Sequence, residues 1–397
     1  MIKQSNAGKE SLGTALKSAV RNNMRQYTMI AALLLIWAFF TILTGGIFLS
    51  SRNISNLFMQ MVTFAIMTSG MVLVMVAGTI DLSAGSVLGT LGALAAWLMA
   101  SGINPVFAII ITLIGGFVVG CWHGYWVAFR KVPAFIVTLA SMMAFKGITL
   151  LITGGQTIDI TNDGFKSIGV GYIPNIPFFG DSMNYTSLIL VILAAALFFI
   201  ATIRTRQKRI KNGFTVLRPS LEIAKIIIII SAIIGLGMFF VNHRGIQYAI
   251  LILVAAAIIF TIITTRTPFG RLVYAIGRNI DAARLSGVNV QKTTMGIWML
   301  MGVMAAVGAL VYTARTGSAE TAAGTGFELE IIAACIIGGT STTGGIGTIF
   351  GAIIGALVMA SLNNGMELMS WHIMYQYIVK GMILLLAVWI DVANRKK

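Results

Sequence analysis

The chain has 397 residues, of which 57% are hydrophobic and only 10% are charged. Soluble domains carry about 25% charged residues, so this composition excludes an ordinary soluble globular protein. Lysine and arginine number 28 against 12 acidic residues, a formal net charge of +16, and the position of these charges decides whether they indicate nucleic acid or a membrane.

Twelve apolar segments follow one another along the chain. About 20 apolar residues cross the ~30 Å hydrocarbon layer as a helix. The predicted spans are 28–46, 61–79, 84–102, 105–129, 133–153, 185–203, 225–242, 247–265, 295–314, 329–341, 343–362 and 375–391. The tenth is short and interrupted by glycine, which indicates a half-helix or re-entrant segment. The predicted fold is therefore all-α: a polytopic integral membrane protein of about 12 transmembrane helices, some short or re-entrant.

The basic residues fall on one side of these spans. With a cytoplasmic N-terminus, 22 of the 28 lie inside, four lie outside (Arg52, Lys166, Arg244 and Arg315) and two lie within spans (Lys146 and Lys380). This split fits the positive-inside rule for twelve crossings with both termini cytoplasmic. The net charge then reports topology, and we expect no nucleic-acid partner.

Both ends of the chain are polar or basic. Residues 1–27 read as a cytoplasmic arm without a cleavable signal, and 392–397 as a basic cytoplasmic tail. Leu12, Leu16 and Val20 recur at helical spacing beside basic residues, which suits either an interfacial helix on anionic lipid or a mobile arm.

The loops offer no site for chemistry. None is long enough to bury a core, no Gly-x-x-x-x-Gly-Lys-Ser/Thr phosphate loop occurs, and the three histidines are scattered. Cys121 and Cys335 lie within apolar segments and read as small buried hydrophobes. We therefore expect no enzymatic activity, no metal and no cofactor.

Glycines recur every four residues at 116, 120 and 124, at 347, 351 and 355, and at 85 and 89. This spacing keeps them on one face of a helix, where another backbone can approach closely. It suits static helix packing, or surfaces that slide during transport.

Ionisable residues at membrane depth are costly and mark function or structural pairing. Asp81, Lys146, Glu328 and Lys380 are the candidates, and Asp81 is also placed to cap the helix that follows it. We expect Glu328 or Glu330 to pair with Lys380 or Lys146. Because the acids cluster at the ends of spans, the pattern argues against an ion-driven pump.

The inner loop 266–294 contains two predicted short helices. Pro268 suits the first turn of one, which Gly277 can end, while Asn279 is a good N-cap for a second that Gly287 ends. Such a loop either docks to a partner subunit or is a plain amphipathic surface.

Several segments together resemble the permease subunits of ABC importers for ribose, xylose and multiple monosaccharides. They are 80–86 (IDLSAGS), 133–139 (PAFIVTL), 269–271 (FGR), 274–277 (YAIG), 281–287 (DAARLSG), 324–329 (GTGFEL), 337–341 (IGGTS), 362–366 (LNNGM) and 378–381 (IVKG). The resemblance covers roughly residues 28–391, is greatest to the multiple-monosaccharide permease, and has the xylose permease second.

The resemblance implies a permease domain over 28–391 in a bacterial plasma membrane, paired as a homodimer. A separate ATPase subunit would hydrolyse ATP, and an extracytoplasmic sugar-binding protein would deliver substrate. The loop 266–294 would be the coupling loop, with Asp281, Ala282, Ala283 and Gly287 entering a groove on the ATPase; Asp281 stands where relatives often have Glu. Residues 185–246 resemble an extra helix pair.

Transport by alternating access follows as the functional hypothesis, with membrane lipid as the surroundings. Candidates for the translocation pathway are Asn56, Gln60, Thr63 and Phe327, each of which also suits ordinary packing. The alternatives are an ion-coupled secondary transporter and a branched-chain amino acid ABC permease. The sequence does not identify the sugar.

Overall fold

The computed structural model describes residues 24–176, 183–214, 216 and 219–393. Almost all regular structure in these residues is helical. The helices are α1 (Met24–Leu43), α2 (Ser51–Val76), α3 (Ala84–Ala100), α4 (Pro105–Gly124), α5 (Ala134–Thr153), α6 (Asp163–Val170), α7 (Tyr185–Lys211), α8 (Pro219–Val241), α9 (Tyr248–Arg266), α10 (Pro268–Arg278), α11 (Ile280–Leu285), α12 (Val290–Thr316), α13 (Phe327–Ile337), α14 (Ile349–Leu368) and α15 (Ile373–Ala393).

Nine helices of the described part are long and apolar enough to cross a membrane, and two shorter apolar helices, Thr28–Leu43 and Ala84–Ala100, accompany them. The all-α polytopic prediction is therefore confirmed. The count of twelve and the cytoplasmic termini stay predictions, and "inner" and "outer" below refer to that predicted topology. Helix α13 has 11 residues, about 16 Å of rise, so it is too short to cross alone.

Helix α2 begins ten residues before the predicted span, at Ser51 instead of residue 61. The Ser50 side chain caps it by accepting a hydrogen bond from the Asn53 N–H. The sequence 51–60 contains Asn, Ser and Gln, which reads as a loop, but Asn53 and Ser55 are buried against other helices. Tertiary contacts therefore extend the helix into a polar stretch.

Helix α2 lies at the centre of the bundle. In its most apolar 18-residue window 83% of the residues are buried, compared with 61% in α12 and 72% in α14, both of which pack against it. At the periphery the same share is 17% in α7, 11% in α8 and 6% in α15. Helices α7 and α8 pack mainly on each other, while their identification as an added pair over 185–246 stays a prediction.

Helices α4 and α12 touch through glycine, as the four-residue spacing predicts. A Cβ on Gly116 would strike the carbonyl of Gly302, and one on Gly120 would strike the backbone at Trp298. Gly351 and Gly355 pack in the same way on the backbone at Gly338 and Ala334 of the α13 region. Close helix packing is confirmed, while sliding stays a prediction.

A short outer element was not predicted. Strand β1 (Ile158–Asp159) pairs antiparallel with β2 (Ser318–Ala319), and α6 follows β1. The pair ties the chain after α5 to the chain after α12.

Two predictions lie outside the described residues. The interfacial helix through Leu12, Leu16 and Val20 is one of them. The other is the end of the basic tail, residues 394–397.

Candidate functional site

Residues 268–287, which we call the coupling segment, form two capped helices as predicted. Pro268 stands in the first turn of α10. The Asn279 side chain caps α11 by accepting a hydrogen bond from the Ala282 N–H at 2.9 Å, and Gly287, at φ +84°, follows the end of α11. A left-handed residue after a helix favours glycine, so these local rules predicted the start of α10 and both ends of α11 correctly.

The prediction that Gly277 ends the first helix is wrong, because α10 continues through Arg278. Gly277 is instead a point of close approach. A Cβ there would overlap the carbonyl oxygen of Val76, at the end of α2, and would lie 2.7 Å from the N–H nitrogen of Gly345. The glycine therefore serves tertiary packing.

A second contact attaches α10 to the same place. The Tyr274 hydroxyl donates a hydrogen bond of 2.6 Å to the carbonyl of Gly347, and burial raises the pKa of Tyr274. Together with the Gly277 contact, this bond attaches the coupling segment to α2 and to the loop before α14.

The residues expected to meet a partner differ in exposure. Asp281, Ala282 and Gly287 are exposed, but Ala283 is only 5% exposed and packs within this chain, so it cannot form the docking surface itself. Leu285 is 89% exposed, the highest value among the large hydrophobic residues described as exposed. Sequence reasoning missed it, although an apolar residue just before Ser-Gly on a polar loop was a usable signal.

A polar cleft of about 310 Å³ lies between the outer halves of α2 and α14. Its lining is Asn53, Asn56, Met59, Gln60, Arg315, Asn364, Glu367 and Leu368. Two of the four predicted pathway residues, Asn56 and Gln60, are among them. Sequence reasoning missed the partners across the cleft, because nothing in the sequence brings residues 53–60 next to residues 364–367.

Hydrogen bonds hold the walls of this cleft together. Gln60 Nε2 donates to Glu367 Oε2 at 3.0 Å, and Asn53 Nδ2 donates to Asn364 Oδ1 at 2.8 Å. The buried Asn53–Asn364 pair fixes the positions of α2 and α14 relative to each other, whereas the Gln60–Glu367 bond is exposed. The groups left facing the cleft can donate to and accept from a solute's hydroxyl groups.

The other two pathway candidates, Thr63 and Phe327, do not line the cleft. Phe327 belongs to an aromatic cluster, with its ring centroid 4.6 Å from Phe64 and 5.4 Å from Tyr312. The Arg315 guanidinium lies 5.7 Å from the Tyr312 centroid and joins this cluster to the cleft. Thr63 is 1% exposed, and its Oγ1 has no hydrogen-bond partner among the described residues.

One predicted intramembrane ion pair is confirmed. Lys380 Nζ lies 2.7 Å from Glu330 Oε1, and Asn363 Nδ2 donates to Glu330 Oε2 at 2.9 Å. The alternative cation, Lys146, is exposed on α5 and forms no ion pair in the described part of the chain. Glu328 is partly buried, with its Oε2 next to Gly85.

The predicted direct cap by Asp81 is wrong, because Ser83 occupies the N-cap position of α3. Asp81 is 2% exposed, and its Oδ1 accepts hydrogen bonds from the Ser83 N–H at 2.8 Å and the Ser83 hydroxyl at 2.6 Å. Asp81 therefore closes a turn just before the helix, which is the usual behaviour of Asp two residues ahead of an N–H.

Known proteins similar to this chain are membrane permeases. The family described as branched-chain amino acid transport system, permease component, matches residues 53–388. The xylose transport system permease proteins of Haemophilus influenzae and Escherichia coli K12 are each 42% identical over 94% of this chain, and over 98% and 93% of their own lengths. The ribose import permease protein of Bacillus subtilis is 33% identical over 88% of this chain and 87% of its own. No solved structure matches.

Proposed function

Because this chain belongs to the family of permease subunits of sugar ABC importers, we propose that it moves xylose or a closely related monosaccharide into the cell. The observation that carries the proposal is 42% identity to permeases named for xylose over 94% of the chain. A family member of this kind is a multi-pass plasma-membrane protein and not itself an enzyme, since ATP hydrolysis belongs to a separate subunit.

Two alternatives give different results in a transport assay. Membership in the family argues against an ion-coupled secondary transporter. The description of the matched family favours branched-chain amino acids, whereas the relatives above are named for xylose and ribose. Uptake of leucine in place of a pentose would support the amino acid alternative.

The proposed assembly contains two copies of this chain, each with twelve spans and cytoplasmic termini, above the ATPase subunits. A sugar-binding protein delivers substrate from outside. The peripheral helices α7, α8 and α15 present apolar faces to lipid or to the second copy, in keeping with their low burial.

The coupling segment is the proposed docking site for the ATPase. The exposed side chains of Asp281, Ala282 and Leu285 would enter a groove on that subunit, with Ala283 supporting α11 from behind. Closure of the ATPase on ATP favours one conformation of the permease, and that difference in affinity drives the change. The contacts of Gly277 and Tyr274 would pass the motion to α2 and α14.

The outer cleft is the proposed entry to the pathway. A sugar offers hydroxyl groups that both donate and accept hydrogen bonds, which the amides of Asn56 and Gln60 and the carboxylate of Glu367 can match. Phe327 would bound the pathway below, beside Arg315. The cleft is small, and some of its polar groups already bond to one another, so it binds a sugar weakly. Weak binding lets the sugar move on through the pathway.

Reconstitution tests the proposal. Liposomes that contain the chain with its ATPase and sugar-binding protein should accumulate labelled xylose when ATP is supplied, and should not accumulate leucine. A Gly287→Trp variant should fold but lose both ATPase binding and uptake, because a bulky residue at φ +84° disturbs the end of α11. Uphill accumulation by the chain alone would contradict the proposal, as would normal uptake by Gly287→Trp.

A further inference from the structure

A cavity of about 570 Å³ lies behind the coupling segment, at the opposite end of the bundle from the outer cleft. It is bordered by α10 and α11, by the first turns of α12, by the π-helical turn and loop that follow α4, and by the chain that follows α2. The residues used below that line it are Lys131, Arg284, Asn289, Val290, Gln291 and Trp298. Its walls therefore belong to the elements that must move relative to one another if the coupling segment is displaced.

The cavity is electropositive. Lys131 and Arg284 both line it, and none of the described lining residues is Asp or Glu. Arg284 also lies 3.5 Å from Asp281, but both side chains are exposed, at 62% and 78%, and such surface pairs contribute little. Asp281 therefore offsets part of the charge of Arg284, whereas Lys131 forms no ion pair in the described part of the chain.

The first turn of α12 adds backbone donors to the same wall. The Asn289 side chain caps this 27-residue helix by accepting a hydrogen bond from the Lys292 N–H. The N–H groups of Val290 and Gln291 belong to the same first turn. All of these except Lys292 line the cavity. Free N–H groups and the helix dipole make such an end a binding site for anionic oxygens.

Trp298 supplies an independent observation at the base of the cavity. It lines the cavity and is fully buried, and its indole N–H has no hydrogen-bond partner among the described residues. Buried N–H groups are nearly always paired in native proteins, so an unpaired one indicates a missing acceptor. Because Trp298 is fully buried, an oxyanion or an ordered water molecule reaches this N–H only when the side chains at the base of the cavity move.

Lys131 is held in an unusual backbone conformation. Its φ is +56°, and it follows a π-helical turn over Tyr125–Phe129 at the end of α4. A left-handed non-glycine residue costs roughly 1 kcal/mol or more and often marks a functional site, as do π turns. The residue with this unusual backbone is also a cation in the cavity wall.

We propose that this cavity binds a phosphate group, carried by an anionic lipid headgroup or by a soluble phosphate ester, and that occupancy holds the coupling segment against α4 and α12. The proposal goes beyond the transport function, and it does not depend on which sugar is carried. It assigns the cavity a regulatory ligand, because filling it links α11 and the start of α12 to the core.

The test uses the full-length chain in nanodiscs of phosphatidylcholine, titrated with inorganic phosphate and followed by thermal unfolding. In a second arm, phosphatidylglycerol replaces part of the lipid and no phosphate is added. Stabilisation in the first arm identifies a soluble phosphate ligand, and stabilisation only in the second identifies a lipid headgroup. No stabilisation in either arm would overturn the proposal.

Lys131→Asn is the informative variant, because Asn tolerates a left-handed backbone and the fold should persist. It should weaken the stabilising ligand roughly tenfold, the effect of losing one charge-assisted contact. Lys292→Gln is the matched control. It also removes one positive charge, in the first turn of α12, but Lys292 does not line the cavity, so this variant should bind the ligand as the unmodified chain does. Equal binding by Lys131→Asn and the unmodified chain would contradict the assignment. Lys131→Gly provides a second variant if Lys131→Asn fails to fold.

Trp298 gives a second readout. Ligand binding should change the intrinsic fluorescence of the unmodified chain, and Trp298→Phe should remove most of that change. A fluorescence change that persists in Trp298→Phe would show that the ligand binds elsewhere.

Discussion

Gly277 of the coupling segment lies directly against the carbonyl oxygen of Val76, the last residue of α2. No side chain fits between them. The contact connects the segment proposed to receive the ATPase with the helix at the centre of the bundle. A glycine at this position is therefore a requirement of tertiary structure, even though it stands inside a helix.

Gly277→Val should destabilise the packing of α10 against the end of α2. The added side chain would overlap the backbone at Val76 and Gly345, and overpacking of this kind typically costs about 1–3 kcal/mol. We expect a lower unfolding midpoint for the purified chain and loss of ATP-driven uptake. Gly147→Val is the matched control, because a Cβ added at Gly147 would meet nothing within 4 Å. Equal effects of the two substitutions would contradict this role.

Leu285→Ala should leave the isolated chain as stable as before, because the side chain is 89% exposed. If Leu285 is buried on docking, its truncation should weaken ATPase binding at least roughly tenfold. Binding of the purified ATPase to the permease in detergent measures this effect. Leu151→Ala, at an 83% exposed leucine of α5, should change neither quantity. Unchanged ATPase affinity in Leu285→Ala would remove it from the docking surface.

Glu330→Gln should be strongly destabilising. The Lys380 and Glu330 side chains are 20% and 10% exposed, so removal of one charge leaves the other buried and unpaired, at a cost of about 3–5 kcal/mol. The double variant Glu330→Gln with Lys380→Met should recover much of that loss. Thermal unfolding of the single and double variants forms a double-mutant cycle. Additive effects would show that the two charges do not interact.

Tyr274→Phe should leave the Gly347 carbonyl without its donor, at a cost of about 1 kcal/mol. Because burial raises the pKa of Tyr274 above its ordinary value of 10.0, the folded state retains the phenolic proton longer than the unfolded state. The stabilisation is thus complete below pH 10.0 and is lost as the pH rises further. The difference in stability between the unmodified chain and Tyr274→Phe should therefore shrink at high pH. A difference independent of pH would contradict this account.

Local rules predicted what local interactions determine. The start signals at Pro268 and Asn279 and the stop signal at Gly287 depend on neighbours within a few residues, and the structure has all three. The pairing of Lys380 with an acid was also predictable, because an isolated charge at membrane depth is costly enough to demand a partner.

Long-range contacts explain what the sequence did not reveal. The prediction that Gly277 ends a helix failed because the glycine is needed inside the helix, where the backbone of Val76 packs against it. The partners of Gln60 in the outer cleft come from α14, more than 300 residues away, which no local pattern identifies. The early start of α2 also depends on a long-range contact, because the polar side chain of Asn53 is buried with a hydrogen bond to Asn364.

The direct backbone contact between Gly116 of α4 and Gly302 of α12 has a mechanical consequence. No side chains lie between the two helices at this contact, so we expect α4 and α12 to move together as one rigid unit. The coupling segment leads through a short linker into the first turn of α12. We therefore expect a displacement of this segment to be transmitted along α12 to its far end, where Arg315 borders the outer cleft.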